Sequence, residues 1–119
     1  MDARSIGQWG EDMAERYLRR RLYRIVARNY RCRMGEIDII ARRGGEIVFV
    51  EVKTRKNAAY AEAKDFVDPA KQRRILNTAQ VWLAENDCEL QPRFDVIEIY
   101  APNGPGGTYR VNHIEEAFP

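Results

Sequence analysis

The stretch from Glu36 to Thr54 constrains the fold more than any other part of the chain. Glu36-Ile-Asp-Ile-Ile-Ala is rich in β-branched residues, and Ile47-Val-Phe-Val-Glu-Val-Lys-Thr is almost continuously apolar. Between them stands Arg43-Gly44-Gly45-Glu46, a tight hairpin signal that makes the two strands antiparallel neighbours. A strand with apolar residues on both sides belongs in the middle of a sheet covered on both faces. Yet Glu36, Asp38, Glu51 and Lys53 lie inside these strands. Burying such charges is costly unless they are paired or hold a metal.

The flanking sequence supplies the cover. Ile6, Trp9, Gly10, Met13, Ala14, Tyr17, Leu18 and Leu22 repeat at steps of three and four and predict a helix over 6–22. Residues 24–30 read as a short strand, with a turn at Gly35. Asp68-Pro69 is a cap followed by proline at the first helical position, predicting a helix to about Asn86. Its buried stripe is Ile75, Leu76, Ala79, Trp82 and Leu83. Phe94–Tyr100 reads as a strand, 102–107 as a Gly/Pro turn, and Tyr109–Ile114 as an edge strand. Residues 55–67 are polar and alanine-rich and read as a mobile loop. The order is αβββαββ. The expected class is α/β (α+β), with a central mixed sheet flanked by helices in one domain over 1–119.

Composition excludes several classes. With 45% apolar and 32% charged residues, the chain is not mainly disordered. No apolar run approaches the ~20 residues of a membrane span. Met1–Ser5 carries no apolar stretch of a secretory signal. The expected setting is cytoplasmic, without membrane, and with Cys32 and Cys88 both reduced. The net charge of +2 hides an asymmetry. Arginines stand at 16, 19, 20, 21, 24, 28, 31 and 33, with no acid among them. The plain reading is a solvated face. The functional one is a polyanion-binding surface, because the guanidinium fork suits phosphate.

Residues two apart in a strand share a face, so Glu36 goes with Asp38 and Glu51 with Lys53. With Gly44-Gly45 at the turn centre, Asp38 falls opposite Glu51 and Glu36 opposite Lys53. Mutual repulsion would raise the carboxylate pKa values, and a divalent cation would remove it. Hard oxygen ligands select Mg²⁺ or Mn²⁺, and the Val52 carbonyl adds a neutral oxygen. Lys53 beside the cation is placed to stabilise charge on a phosphate under attack. The plainer alternative is a salt bridge of Lys53 with Glu36 or Glu51.

Glu36-Ile-Asp38-Ile-Ile with Phe49-Val-Glu51-Val-Lys53-Thr-Arg55 resembles the PD-(D/E)xK nuclease motif. More closely, the chain resembles the YraN family, small uncharacterised bacterial proteins similar to archaeal Holliday junction resolvases. The resemblance runs through Gly7-x-x-Gly10-Glu11-x-x-Ala14, then Asn29-Tyr30-Arg31-Cys32-Arg33-x-Gly35-Glu36-Ile37-Asp38. It continues through Lys71-Gln72-Arg73-Arg74 and Arg93-Phe94-Asp95-Val96. It implies a restriction-endonuclease-like fold, with Asp38 and Glu51 as metal-binding acids and Lys53 as catalytic lysine. It also implies a first-helix glutamate near the metal, here Glu11. Glu36 reads either as a further acid of the site or as a strand residue paired with Lys53 or an arginine. Two departures stand out. Ile37 replaces the motif's proline, and Ala61 and Ala63 stand where the family tends to have glycine and proline.

The expected function is metal-dependent hydrolysis of phosphodiester bonds in DNA, with branched or damaged structures as candidate substrates. The alternative is a non-catalytic nucleic-acid-binding module on the same fold. Candidate phosphate contacts are Arg19, Arg20, Arg28, Arg31, Arg33, Arg55, Lys71 and Arg74. Tyr23 and Tyr30 are candidate stacking residues. Trp9 and Trp82 read as core, Asp95 as the ion-pair partner of Arg93, and His113 has no assigned role. A homodimer would suit a symmetric junction.

Overall fold

The computed structural model describes residues 2–56 and 68–118. Helix α1 spans Ala3–Arg20 and begins at Asp2, whose Oδ1 accepts a hydrogen bond from the Ser5 N–H at 2.8 Å. Gly10, Ala14 and Leu18 form its buried line, four residues apart. The helix stops short of the expected Leu22. Leu22 adopts φ 68, the Leu22 N–H bonds to the Arg19 carbonyl, and the Tyr23 N–H reaches back to Leu18 at 3.0 Å. These are the paired bonds of a Schellman ending, with leucine where glycine is usual. Leu22 is therefore 83% exposed instead of joining the apolar stripe.

Five strands form one sheet in the order β1-β2-β3-β4-β5: β1 Arg24–Cys32, β2 Gly35–Arg43, β3 Glu46–Arg55, β4 Gln91–Tyr100 and β5 Arg110–Ile114. Gly44-Gly45 is the β2–β3 turn, closed by the Arg43↔Glu46 pair, with Gly44 at φ 59. Strands β3 and β4 run parallel from Glu46↔Gln91 to Arg55↔Tyr100, and the other neighbours are antiparallel. The fold is thus α+β with a mixed sheet and the order αβββαββ, consistent with a nuclease-like fold. Strand β3 is central, and β5 is at an edge.

Helix α2, Pro69–Glu85, connects β3 to β4. Asp68 caps it, its Oδ1 accepting from the Lys71 N–H at 2.9 Å. One face of the sheet packs Ile40, Ile47 and Phe49 against Ile75, Ala79 and Trp82 of α2. The other packs Ile39, Val48, Val50 and Ile97 against Ala14 and Leu18 of α1. The loop expected over 55–67, including Ala61 and Ala63, falls beyond Lys56 outside the described residues. Cys32 and Cys88 are both free. Among the described residues, no helix is long and apolar enough to cross a membrane.

Candidate functional site

The β2–β3 ladder runs from Arg43↔Glu46 to Ile39↔Val50 and stops there. Strand β3 continues beside β4 for five more residues. The two strands therefore part at Asp38 and Glu51, which continue the register but are not ladder partners. The apolar pattern changes here too. Ile37 packs in the α2 cluster and Ile39 in the α1 cluster, although they are two apart. Asp38 uses the opening: its Oδ2 accepts the Val52 N–H at 2.8 Å. In a strand, N–H and C=O of one residue face the same edge, so the Val52 carbonyl also faces the fork.

Two glycines seat the helices around this fork. A Cβ on Gly10 would lie 1.8 Å from Thr54 Oγ1, so only glycine lets α1 press onto β3. A Cβ on Gly35 would lie 3.0 Å from Thr78 Oγ1 of α2. Helix α2 consequently brings Lys71 to Glu51, Nζ to Oε1 at 2.7 Å. A cleft of about 170 Å³ results, lined by Gly35, Glu36, Asp38, Glu51, Lys71, Arg74 and Ile75.

The electrostatics of the cleft are unbalanced. Burial, the nearby Glu51 charge, and weaker contributions from Glu11 and Glu36 push the Asp38 carboxyl up to about 7, against the Val52 hydrogen bond. Burial therefore outranks the carboxylate repulsion expected from the sequence. Lys53 is held below the usual lysine range by burial and by the Lys71 charge, while Glu51 opposes the shift. Burial lowers Lys71 as well, but its bond to Glu51 more than compensates and its pKa rises.

The other expected site residues are placed differently. Glu11 follows Gly10 onto the sheet, but its Oε1 accepts from Asn29 Nδ2 at 2.8 Å and from Arg28 Nη2 at 3.3 Å. Glu36 is not opposite Lys53, because the ladder has ended. It pairs with Arg31 across β1–β2 at 3.3 Å. Lys53 bridges neither Glu36 nor Glu51, since Lys71 holds Glu51. Asn29 belongs to the stretch that carries the family resemblance, but the sequence gives it no role at the site. It sits at φ 51 in the β1 position facing Asp38, between the pairs Arg28↔Ile39 and Tyr30↔Ile37. An asparagine in mid-strand was the available signal, because asparagine tolerates this conformation.

The arginine run does not form one surface. Arg28 is held by Glu11, Asp12 and Glu15 at 2.7–3.3 Å, and Arg19 by Glu15 at 2.9 Å. Arg55 pairs with Glu98 at 3.0 Å, both about nine-tenths buried. Among the candidate phosphate contacts, Arg20, Arg33 and Arg74 have no ion pair within 4.0 Å among the described residues, and Arg74 lines the cleft. Tyr23 is buried, not a stacking surface, and Tyr30 donates to Glu85 at 2.5 Å. Trp82 is core, and Trp9 packs edge-on against Tyr109.

A second polar cluster lies across β3 from the fork, on β4 and β5. Arg93 grips Asp95 with Nε at 2.9 Å and Nη2 at 2.8 Å. Asp95 also receives His113 Nε2 at 2.6 Å and the Glu116 N–H at 3.1 Å. His113 Nδ1 meets the Tyr17 hydroxyl at 3.0 Å, a linking role its sequence position did not reveal. Among the described residues, only Asp95, His113 and Glu115 make a His/Cys/Asp/Glu trio with donor atoms within 4.8 Å of one another. Asp95 already accepts four hydrogen bonds there, so that trio is a satisfied network and a poor metal centre. Asp38, Glu51 and Glu11 are not so gathered.

A mixed sheet that forks at two acids, with lysines from a strand and a helix over them, defines an α+β protein of nuclease-like architecture. The chain belongs to the uncharacterised protein family UPF0102, whose sequence model matches residues 10–99. A UPF0102 protein of Geobacter sulfurreducens is 47% identical over 116 residues, covering 95% of this chain and 88% of that one. One from Caldanaerobacter subterraneus is 40% identical over 119 residues, covering 99% and 98%. One from Pelobacter propionicus is 45% identical over 120 residues, covering 98% and 84%.

Proposed function

We propose that this chain is a divalent-metal-dependent nuclease that hydrolyses phosphodiester bonds in DNA, with branched or damaged structures as the candidate substrates. The observation that carries this reading is Asp38. A carboxyl pushed up to about 7 by burial and by Glu51, beside the open edge of Val52, is an oxygen site short of positive charge. Asp38, Glu51 and the Val52 carbonyl fit Mg²⁺ or Mn²⁺ by donor chemistry. When bound, the cation supplies Lewis-acid stabilisation of charge on the phosphate.

The chain's own groups do the rest. Lys71, which holds Glu51, and Arg74 flank the cleft and would hold a phosphate there. Lys53, its charge desolvated, stabilises negative charge growing on that phosphate. Glu11, fixed by Asn29, and Glu36 add negative potential that favours the cation. A non-catalytic nucleic-acid-binding module is the second reading. It is favoured by Lys71 already neutralising Glu51 and by Glu11 turning to Arg28.

The test is cleavage of single-stranded, duplex, flapped and four-way DNA with Mg²⁺ or Mn²⁺. Wild type is compared with Asp38→Asn, Glu51→Gln and Lys53→Ala. Wild type should cut at least one substrate. The two acid variants should be inactive, and Lys53→Ala should lose roughly 10²–10³ in rate with little loss of affinity. No cleavage by wild type, with DNA binding retained, would favour the binding module. Equal cleavage by all four would overturn the site.

A further inference from the structure

A second cleft, about 240 Å³, opens on the α1 side and is lined by Tyr17, Arg21, Tyr23, Arg43, His113 and Glu115. Its two arginines are held flat. The Arg21 guanidinium lies 4.6 Å over the Tyr17 ring and that of Arg43 lies 4.2 Å over Tyr23. Cation–π contact of this kind fixes the plane of a guanidinium while leaving its N–H edge available. Arg43 Nη1 also donates to the Arg21 carbonyl at 3.2 Å, tying the two segments together. The floor cannot swing in to neutralise them. Tyr17 is bonded to His113, and Tyr23 accepts from Arg93 at 2.6 Å. Glu115 is the one acid of the lining. It sits at 3.4 Å from Arg93 and only at 4.0 Å from Arg43.

The end of α1 adds positive charge. Neither Arg20 nor Arg21 has an ion pair within 4.0 Å among the described residues. The helix dipole explains part of the basic charge there, but not Arg43, which lies on β2.

We infer that this cleft is a second phosphate-binding site, which takes the backbone of a nucleic acid on the sheet face opposite the fork cleft. The inference rests on the proposed nucleic-acid substrate. Arg43 is five residues beyond Asp38 on β2, about 17 Å along the strand at ~3.4 Å per residue. The cleft lies on the α1 face of the sheet, whereas the fork cleft is lined by α2 residues, so the two are separate contacts.

The experiment is fluorescence anisotropy with a labelled 20-bp duplex over a salt series without divalent metal. It uses wild type, the Arg21→Gln/Arg43→Gln double variant, and Arg4→Gln as a charge-loss control near the other end of α1. Thermal unfolding confirms that each is folded, and an Arg21→Lys/Arg43→Lys variant separates charge from planar geometry. The double Gln variant should bind the 20-bp duplex at least about tenfold more weakly, with a salt slope lower by roughly one to two. Arg4→Gln should match wild type, and the Lys variant should fall between. Equal affinity and slope for wild type and the double Gln variant would overturn the second site even if wild type cleaves DNA. Binding without cleavage by wild type would overturn the nuclease and leave this site standing. Absence of all nucleic-acid binding would overturn both. Calorimetric titration with inorganic phosphate covers the remaining source. Phosphate binding lost in the double variant, with 20-bp affinity unchanged, would make the pocket a site for free phosphate and overturn the backbone contact.

Discussion

The fork at Asp38 and the network at Asp95 are both polar clusters built on neighbouring strands, and they resolve the same problem in opposite ways. Asp95 is 0% exposed, yet four hydrogen bonds and the Arg93 charge surround it. Burial raises its pKa, but His113 and Arg93 more than reverse that, and it ends below the usual carboxylate range. Asp38 accepts one backbone hydrogen bond and has three acids in its field, and it ends at about 7. The first cluster is complete as it stands. The second is short of positive charge, and groups with such environments concentrate at functional sites.

The largest expected effect breaks the complete cluster. Asp95→Ala leaves Arg93 and His113 buried without their partner, and removing one member of a buried pair typically costs about 3–5 kcal/mol. Urea unfolding monitored by circular dichroism checks this. A loss below about 1 kcal/mol would mean that the network is not structural. The pH sign also follows. With its folded pKa below the unfolded value, Asp95 contributes stability present above pH ~4 and lost as pH falls further.

Asp38 predicts the reverse. Its folded value of about 7 lies above the ordinary aspartate value of 3.8, so the folded protein holds that proton more tightly. The associated stability is present below pH ~4 and is lost as pH rises towards 7. In metal-free protein at pH 8, Asp38→Asn should therefore gain about 2 kcal/mol, less than the full shift because the bond to Val52 weakens. Unfolding at pH 5 and pH 8 measures it. A variant less stable than wild type at both values would show that Asp38 is a structural acid like Asp95.

Two smaller effects sharpen the comparison by moving the helices that frame the fork. Gly10→Ala gains helix propensity of ~1 kcal/mol but drives a methyl into Thr54 Oγ1, for a net loss of about 1–2 kcal/mol. Thr54→Ala in the same chain should restore most of it, and a double-mutant cycle in urea reads the coupling. Asp68→Ala removes the cap of α2, at about 1 kcal/mol. By loosening the turn that carries Lys71, it should perturb the NMR signals of Glu51 while leaving those of His113 in place.

Much of the architecture was legible because it is written in local chemistry. Gly44-Gly45 fixed the hairpin register, and Asp68-Pro69 marked the start of α2. The continuous apolar run of β3 placed it in the centre. The α1 terminus was not legible, because its reversal uses leucine and only tertiary packing reveals it. Asp38 and Glu51 could be paired from register alone. The partners of Glu11, Glu36 and Glu51 could not, since Asn29, Arg31 and Lys71 reach them from elements whose approach is set by Gly10 and Gly35. The arginine run failed as a single surface for the same reason. Consecutive arginines are divided among a helix end, two ends of an edge strand and a nest of acids.

The central claim is that the fork, and not the Asp95 network, takes a divalent cation. Calorimetric titration of Mn²⁺ into metal-free wild type, Asp38→Asn and Glu115→Gln tests it directly. Wild type and Glu115→Gln should bind with the same affinity, and Asp38→Asn should lose binding. Binding unchanged in Asp38→Asn, or lost in Glu115→Gln, would contradict the account.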